Sequence, residues 1–208
     1  MKNKADITHL FVDIGGVLLT DGWVRKYRKL AAKTFGLNFD ELENRHNQAF
    51  DTYELGKLTM DEYLSRVVFQ EKRQFTPAQF RKFILDQSKG YPEMIEMVCH
   101  LKEKYGLKIV VVSNEARELN AYRIQKFKLN EFVDFFISSC YVHLRKPDED
   151  IFRLALDTSQ APAGRVVYIE NTPMFVRIAE DLGIKSILHT DYKSTCEKLS
   201  ALGLNIIE

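Results

Sequence analysis

Asp13, Ser113, Asn114, Lys146, Glu170 and Asn171 are the residues whose types could work together on one bond. An aspartate carboxylate is a competent nucleophile toward phosphorus. A hydroxyl and a lysine ammonium can hold and neutralise the oxygens of a transferring phosphoryl group, and a second carboxylate beside the first can bind Mg²⁺ through hard oxygen ligands. Asp13 closes the apolar run Leu10-Phe11-Val12, and Gly15-Gly16 just beyond it let the backbone turn tightly and approach a bound group. Each residue also has an ordinary use: Asp13 with its glycines can close a strand, Ser113-Asn114 can cap a helix, and Lys146-Pro147 can be plain loop. What joins them is placement, each at the end of an apolar run or in the turn after it.

The runs that must position them read as buried parallel strands: Leu10–Val12, Lys108–Val112, Phe135–Ser138, Val166–Ile169 and Lys185–Leu188. Between them lie helical patterns. Met94, Ile95, Val98, Leu101 and Tyr105 share one face of a helix that Gly106 ends. Further helices are expected over roughly 115 to 127, around Ile151, Leu154 and Ala155, after Thr172-Pro173, and from about Asp191. Strands alternating with helices of this length predict an α/β fold with a Rossmann-like, doubly wound parallel sheet, whose strand carboxyl ends gather ligands. About 100 residues separate Asp13 from Ser113, although a crossover with its helix needs only a few tens. The excess, residues 20–91, holds half of the chain's 24 aromatics at helical spacing, with capping boxes at Thr59 to Glu62 and Thr76 to Gln79. The expected division is a Rossmann-like core of residues 1–19 and 92–208, and an inserted helical cap of residues 20–91 that moves as a lid over the strand ends.

Composition narrows the function from outside. The formal net charge of +1, from 30 basic and 29 acidic residues, argues against nucleic acid as a partner. Cys99, Cys140 and Cys196 are widely spaced and form no Cys-x-x-Cys, so neither a disulfide framework nor a zinc site is suggested. No apolar stretch is long enough to span a bilayer, and Asp6, His9 and Asp13 interrupt any signal-peptide core. The expectation is a cytoplasmic protein with no membrane partner.

Four motifs stand in order: Val12-Asp13-Ile14-Gly15-Gly16-Val17, Val111-Val112-Ser113-Asn114, Arg145-Lys146-Pro147-Asp148 with Ile151-Phe152, and Val167-Tyr168-Ile169-Glu170-Asn171. With them the chain resembles, over essentially its whole length, the haloacid dehalogenase-like hydrolases that carry a helical cap after the first motif, and among these the phosphatases. The stretch from Tyr53 to Thr59, followed by Glu62-Tyr63, resembles part of that cap. The resemblance implies Asp13 as nucleophile, Ser113 and Lys146 as phosphate ligands with Asn114 beside them, and Lys146 as partner of the aspartyl charge. It further implies Mg²⁺ held by the Asp13 carboxylate, the Gly15 carbonyl and the pair Glu170-Asn171, and a small phosphorylated metabolite as substrate.

Two departures bear on activity. In the phosphatases the residue two after the nucleophile is usually an Asp that protonates the leaving oxygen and then activates water; here it is Gly15. General acid–base help contributes ~10²–10⁴ in rate, so a slow enzyme is expected, or one that borrows an acid from the cap. The acidic motif, normally two adjacent Asp, reads Glu170-Asn171, a longer stem and a neutral amide where Mg²⁺ demands near-ideal octahedral geometry. Two other functions therefore stay open: a degenerate member that binds a phosphorylated ligand with little turnover, and a metal-free haloacid dehalogenase, which needs no acid at position 15. His143 is a possible base, and substrate choice is expected to depend on residues around Asp21 to Trp23 and Asp51 to Tyr53.

Overall fold

The computed structural model describes residues 6–206. Its centre is a five-stranded sheet, all parallel, in the order β3-β2-β1-β4-β5, with β1 His9–Val12, β2 Lys108–Ser113, β3 Phe135–Ser138, β4 Val166–Glu170 and β5 Lys185–Leu188. Leu10 and Val12 of β1 face one apolar layer and Phe11 the other, and all three are fully buried, as strands covered on both faces must be. The first layer is closed by α5 (Pro92–Tyr105) and α10 (Tyr192–Ala201), through Met94, Met97, Val98, Leu101 and Leu199. The second is closed by α8 (Asp150–Ser159) and α9 (Pro173–Asp181), through Ile151, Phe152, Ala155 and Ala179. This is the doubly wound α/β fold that the alternating runs imply. The order reverses at β1, so the crevice for a ligand lies beyond the carboxyl end of that strand.

Between β1 and β2 lie four helices: α1 Arg25–Phe35, α2 Phe39–Glu54, α3 Met60–Val67 and α4 Pro77–Asp86. Both capping boxes form, Thr59 with Glu62 at the start of α3 and Thr76 with Gln79 at the start of α4. Trp23, Tyr53, Tyr63, Phe80 and their neighbours build an interior of their own, with Ala116 and Leu119 of the sheet side joining it. Leu119 belongs to α6 (Arg117–Lys126), so that interior is shared across the junction. The chain crosses between the two parts twice. The crossings run side by side, with Thr20 N donating to Lys89 O (2.8 Å) and Tyr91 N to Leu18 O (2.9 Å). Arg123 of α6, wholly buried, donates to Thr20 O on one crossing and to Ser88 Oγ on the other, while its Nη1 pairs with Glu115 at 2.5 Å.

Local details differ from the sequence expectations in two places. Ser113 and Glu170 are the last residues of their strands rather than the first beyond them, because each is still in parallel register with a neighbour, Ser113 with Ser138 and Glu170 with Leu188. Ser113-Asn114 caps no helix; Ala116 occupies that position and α6 starts at Arg117. Of the described helices, none is long and apolar enough to cross a membrane.

Candidate active site

Strand register brings the polar groups together. Val12 lies level with Val111 of β2 and Ile169 of β4, and the Asp13 amide donates to Ile169 O (3.1 Å), so Asp13 emerges between Ser113 and Glu170. Lys146 arrives from the loop after the short helix α7 (Ser139–Val142). A cavity of about 430 Å³ opens above these strand ends. The sheet side contributes Asp13, Gly15, Ser113, Asn114, Lys146 and Asn171, and the helical side Asp21, Trp23, His46, Phe50, Tyr53 and Glu54. Of the segments expected to choose substrate, Asp21 to Trp23 and Tyr53 line this cavity, whereas the Asp51 side chain is 73% exposed and pairs with Arg145.

Asp13 is 8% exposed. Its Oδ1 accepts from Ile14 N (2.8 Å) and faces Lys146 Nζ (3.3 Å), so Oδ2 is the oxygen committed to neither the backbone nor the ammonium. Burial, reinforced by the charge of Glu170, pushes the Asp13 carboxyl up to about 7 against the pull of Lys146 and the Ser113 hydroxyl. Lys146 is 1% exposed, and its ammonium touches Glu170 Oε2 (2.6 Å) and the Tyr168 hydroxyl (3.0 Å) as well as Asp13. Burial alone would lower the Lys146 value, but Asp13 and Glu170 outweigh it, so the ammonium is held charged.

Three of the expected site residues have surroundings that sequence did not reveal. Asn114 uses both ends of its amide on the Lys146 backbone, accepting from Lys146 N (2.9 Å) and donating to Lys146 O (2.8 Å). These two bonds tie the Lys146 loop to the end of β2. Glu170 is fully buried and ringed by donors: Lys146 and Tyr168 on Oε2 at 2.6 and 2.5 Å, Thr172 N on Oε1 at 2.9 Å. Asn171 lies over the turn, its Nδ2 only 1.9 Å from where a Cβ on Gly16 would sit; Gly16 has φ +74° and must stay a glycine. Gly15 has no such constraint, since a Cβ there would meet nothing nearer than Asp21 Cα at 3.6 Å. His143 is exposed and directs Nδ1 at Leu55 O (2.7 Å), away from the work of a base. The sequence assigns no role to Tyr168, Glu54 or Arg145. Only the alternation along β4 could have flagged Tyr168, which is two residues before Glu170 and so on the same face of the strand.

The donor set suits a hard divalent cation. Two buried carboxylates, Asp13 and Glu170, face a single ammonium, which leaves the pair one positive charge short. Among the described residues the Gly15 carbonyl accepts no backbone hydrogen bond, and Asp13, Gly15 and Asn171 all line the cavity. No group of three or more His, Cys, Asp or Glu side chains converges among the described residues. A cation here would thus rest on one carboxylate with carbonyl oxygens, with Glu170 acting chiefly through its charge.

Comparison with known proteins gives the following. A family model described as haloacid dehalogenase-like hydrolase matches residues 7–197. Bifunctional epoxide hydrolase 2 of Sus scrofa is 26% identical over 217 residues, covering 94% of this chain and 39% of that protein, so the chain spans well under half the length of that relative. A HAD family enzyme from Bacteroides thetaiotaomicron, solved in complex with magnesium and inorganic phosphate, superposes with a TM-score of 0.75 at 18% identity, covering 88% of this chain and 94% of that one. A predicted HAD-like family hydrolase from Porphyromonas gingivalis gives 0.75 at 20% identity, with 94% and 98% covered.

Proposed function

The chain belongs to the haloacid dehalogenase-like hydrolases, and from that premise we propose that it is a Mg²⁺-dependent phosphatase of a small phosphorylated metabolite, working through an aspartyl-phosphate on Asp13. The observation that carries this reading is the buried Lys146 ammonium, held 3.3 Å from Asp13 at the floor of a cavity large enough for a phosphate with an organic group attached. An ammonium at that spot can neutralise a phosphoryl oxygen and the nucleophile's own charge during transfer. The Bacteroides enzyme that shares the fold, with its bound magnesium and phosphate, agrees with the reading.

In this account Asp13 Oδ2 attacks phosphorus, a phosphorus–oxygen bond forms, and the ester oxygen leaves. Ser113 and Lys146 hold the phosphoryl oxygens, and Asn114 holds the Lys146 loop in place. Water then attacks the same phosphorus, and inorganic phosphate departs as the Asp13 carboxylate is restored. Asp13, the Gly15 carbonyl and Asn171 would hold Mg²⁺, which supplies positive charge to the phosphoryl oxygens when bound. Residues 20–91 act as the cap that closes the cavity above the substrate.

The donor-ringed state of Glu170 favours a second reading, attack on carbon by Asp13 with no metal, because that carboxylate already has its partners. One assay separates the two. An aryl phosphate should be hydrolysed in Mg²⁺, turnover should stop in chelator, and acid quench should trap phosphate on Asp13 but not on an Asp13→Asn variant. Turnover of haloacids that persists in chelator would replace the phosphatase by the dehalogenase. A chain that turns over neither class and only binds phosphate esters would be the degenerate member.

A further inference from the structure

We propose that Glu54, the last residue of α2, is the general acid and base that this chain uses in place of the carboxylate absent at position 15. The inference rests on the phosphatase reading and names the group that completes it. An alkyl ester cannot leave readily as an alkoxide, so a proton must reach its oxygen from somewhere on the cavity wall, and Gly15 has none to give.

Besides Asp13, three carboxylates line the cavity: Asp21, Glu54 and Glu115. Glu115 is 3% exposed and locked to Arg123 at 2.5 Å, so it cannot reach a substrate. Asp21 is the nearest in space to the missing side chain, with Oδ1 3.9 Å from a Cβ built on Gly15. Both its oxygens, however, face donors, Asn171 Nδ2 at 3.5 Å and Lys26 Nζ at 3.9 Å, and its side chain is 35% exposed. Neither oxygen of Asp21 is therefore without a donor nearby.

Glu54 is placed otherwise. Arg145 donates from Nε and Nη2 to the same oxygen, Oε2, at 3.1 and 2.7 Å, and Oε1 has no hydrogen-bond partner among the described residues. The fork thus orients the carboxyl and leaves one oxygen for the substrate. Although Glu54 belongs to the inserted helices, its backbone is fixed by the sheet side: Ser139 Oγ donates to Glu54 O (2.7 Å) and His143 Nδ1 meets Leu55 O (2.7 Å). Burial pushes the carboxyl up to about 7 despite Arg145. The charged and titratable groups around it are Arg145 and Lys146 from the lysine loop, Glu115 from beyond β2, His143 from beyond α7, and Asp51 one turn back on α2, which shares Arg145. A carboxyl of this kind carries a proton about half the time near neutrality, the state an acid that must later serve as base requires.

The steps balance. As Asp13 Oδ2 bonds to phosphorus and the ester P–O bond breaks, the Glu54 Oε1 proton passes to the departing oxygen, giving a neutral alcohol and a Glu54 carboxylate. That carboxylate then takes a proton from water as the water oxygen bonds to phosphorus. The Asp13–phosphorus link breaks, leaving inorganic phosphate, the Asp13 carboxylate and a protonated Glu54.

The test uses Glu54→Gln, which keeps size and the Arg145 contact, on an alkyl and an aryl phosphate in Mg²⁺. For the alkyl ester kcat/KM should fall by ~10² or more, and the alkaline limb of its pH profile, where Glu54 loses its proton, should disappear while the acid limb set by Asp13 remains. For an aryl ester with a good leaving group kcat/KM should change by less than about threefold, while kcat falls and phosphate accumulates on Asp13, because the base for the second step is gone as well. Gly15→Asp in the Glu54→Gln background should recover part of the alkyl activity, the site having room for a Cβ. Should Glu54→Gln fold poorly, Glu54→Asp, which retracts the carboxyl while keeping it, is expected to give the same alkyl-selective loss. Equal losses on both esters, no loss on either, or the alkyl-selective pattern in Asp21→Asn instead would overturn the assignment. A wild type that forms no phosphoenzyme from the aryl ester removes the phosphatase reading, and this inference with it, and is told apart by needing no variant.

Discussion

Replacing Asp13 should make the metal-free protein more stable. Asp13 and Glu170 are both buried and divide one ammonium between them, Lys146 at 3.3 and 2.6 Å. Burial first, and the Glu170 charge second, raise the Asp13 carboxyl from its ordinary 3.8 to about 7. Since the folded value lies above the unfolded one, the folded state keeps its proton when the unfolded chain has lost it. Stability is therefore fully present below about pH 4, declines as pH rises from 4 to 7, and stays reduced above 7. Some three pH units at about 1.4 kcal/mol each set a ceiling of roughly 4 kcal/mol. Asp13→Asn removes that penalty and leaves Lys146 and Glu170 as a one-to-one pair, but it gives up the contact with Lys146, so a net gain on the order of 2 kcal/mol at pH 8 is expected. At pH 5 the gain should shrink by more than half. Urea unfolding of both proteins in chelator at pH 5, 6.5 and 8 measures it, and added Mg²⁺ should narrow the gap by binding the wild type in preference. A difference that is flat with pH, or a variant less stable than the wild type at pH 8, would refute the reasoning.

Two further outcomes follow from buried charge. Lys146→Met leaves two buried carboxylates facing each other, and should cost about 3–5 kcal/mol. The cost should be largest at high pH, because acid can protonate the stranded pair; unfolding curves at pH 5 and 8 show whether it is. Arg123→Met strands Glu115 and cuts both hydrogen bonds to the crossings at Thr20 and Ser88, with an expected loss of about 3–5 kcal/mol. Adding Glu115→Gln should recover at least ~1 kcal/mol of that loss, since neighbours in one network are not additive.

The sheet and most of the site were legible because both are written locally. β1, β2 and β4 are apolar runs with a polar residue at the carboxyl end or just past it, and parallel pairing alone then gathers Asp13, Ser113 and Glu170 at one edge. Capping boxes are legible for the same reason, since Thr59 and Glu62 need only each other. What stayed hidden depends on partners far along the chain. The pairing of Asn114 with the Lys146 backbone spans 32 residues, Glu54 with Arg145 spans 91, and Arg123 with Thr20 spans 103. Tyr168 stands in an apolar strand, where an aromatic reads as core. Its hydroxyl becomes part of the site only because Lys146 and Glu170 are buried against it.

The position of β1 in the middle of the sheet also sets an order of events during synthesis. His9 pairs with Lys108 on one side and Val166 on the other, so at ~5–20 residues per second Leu10-Phe11-Val12 waits roughly 5–20 s for its first neighbour and longer still for its second. During that interval the four inserted helices, whose contacts are mostly local, are made in full. They can close over their own aromatics while the strand that leads to Asp13 still has no partner. For a nascent chain the inserted segment is thus the first hydrophobic surface to find cover, and the central strand, covered on both faces in the finished molecule, is among the last.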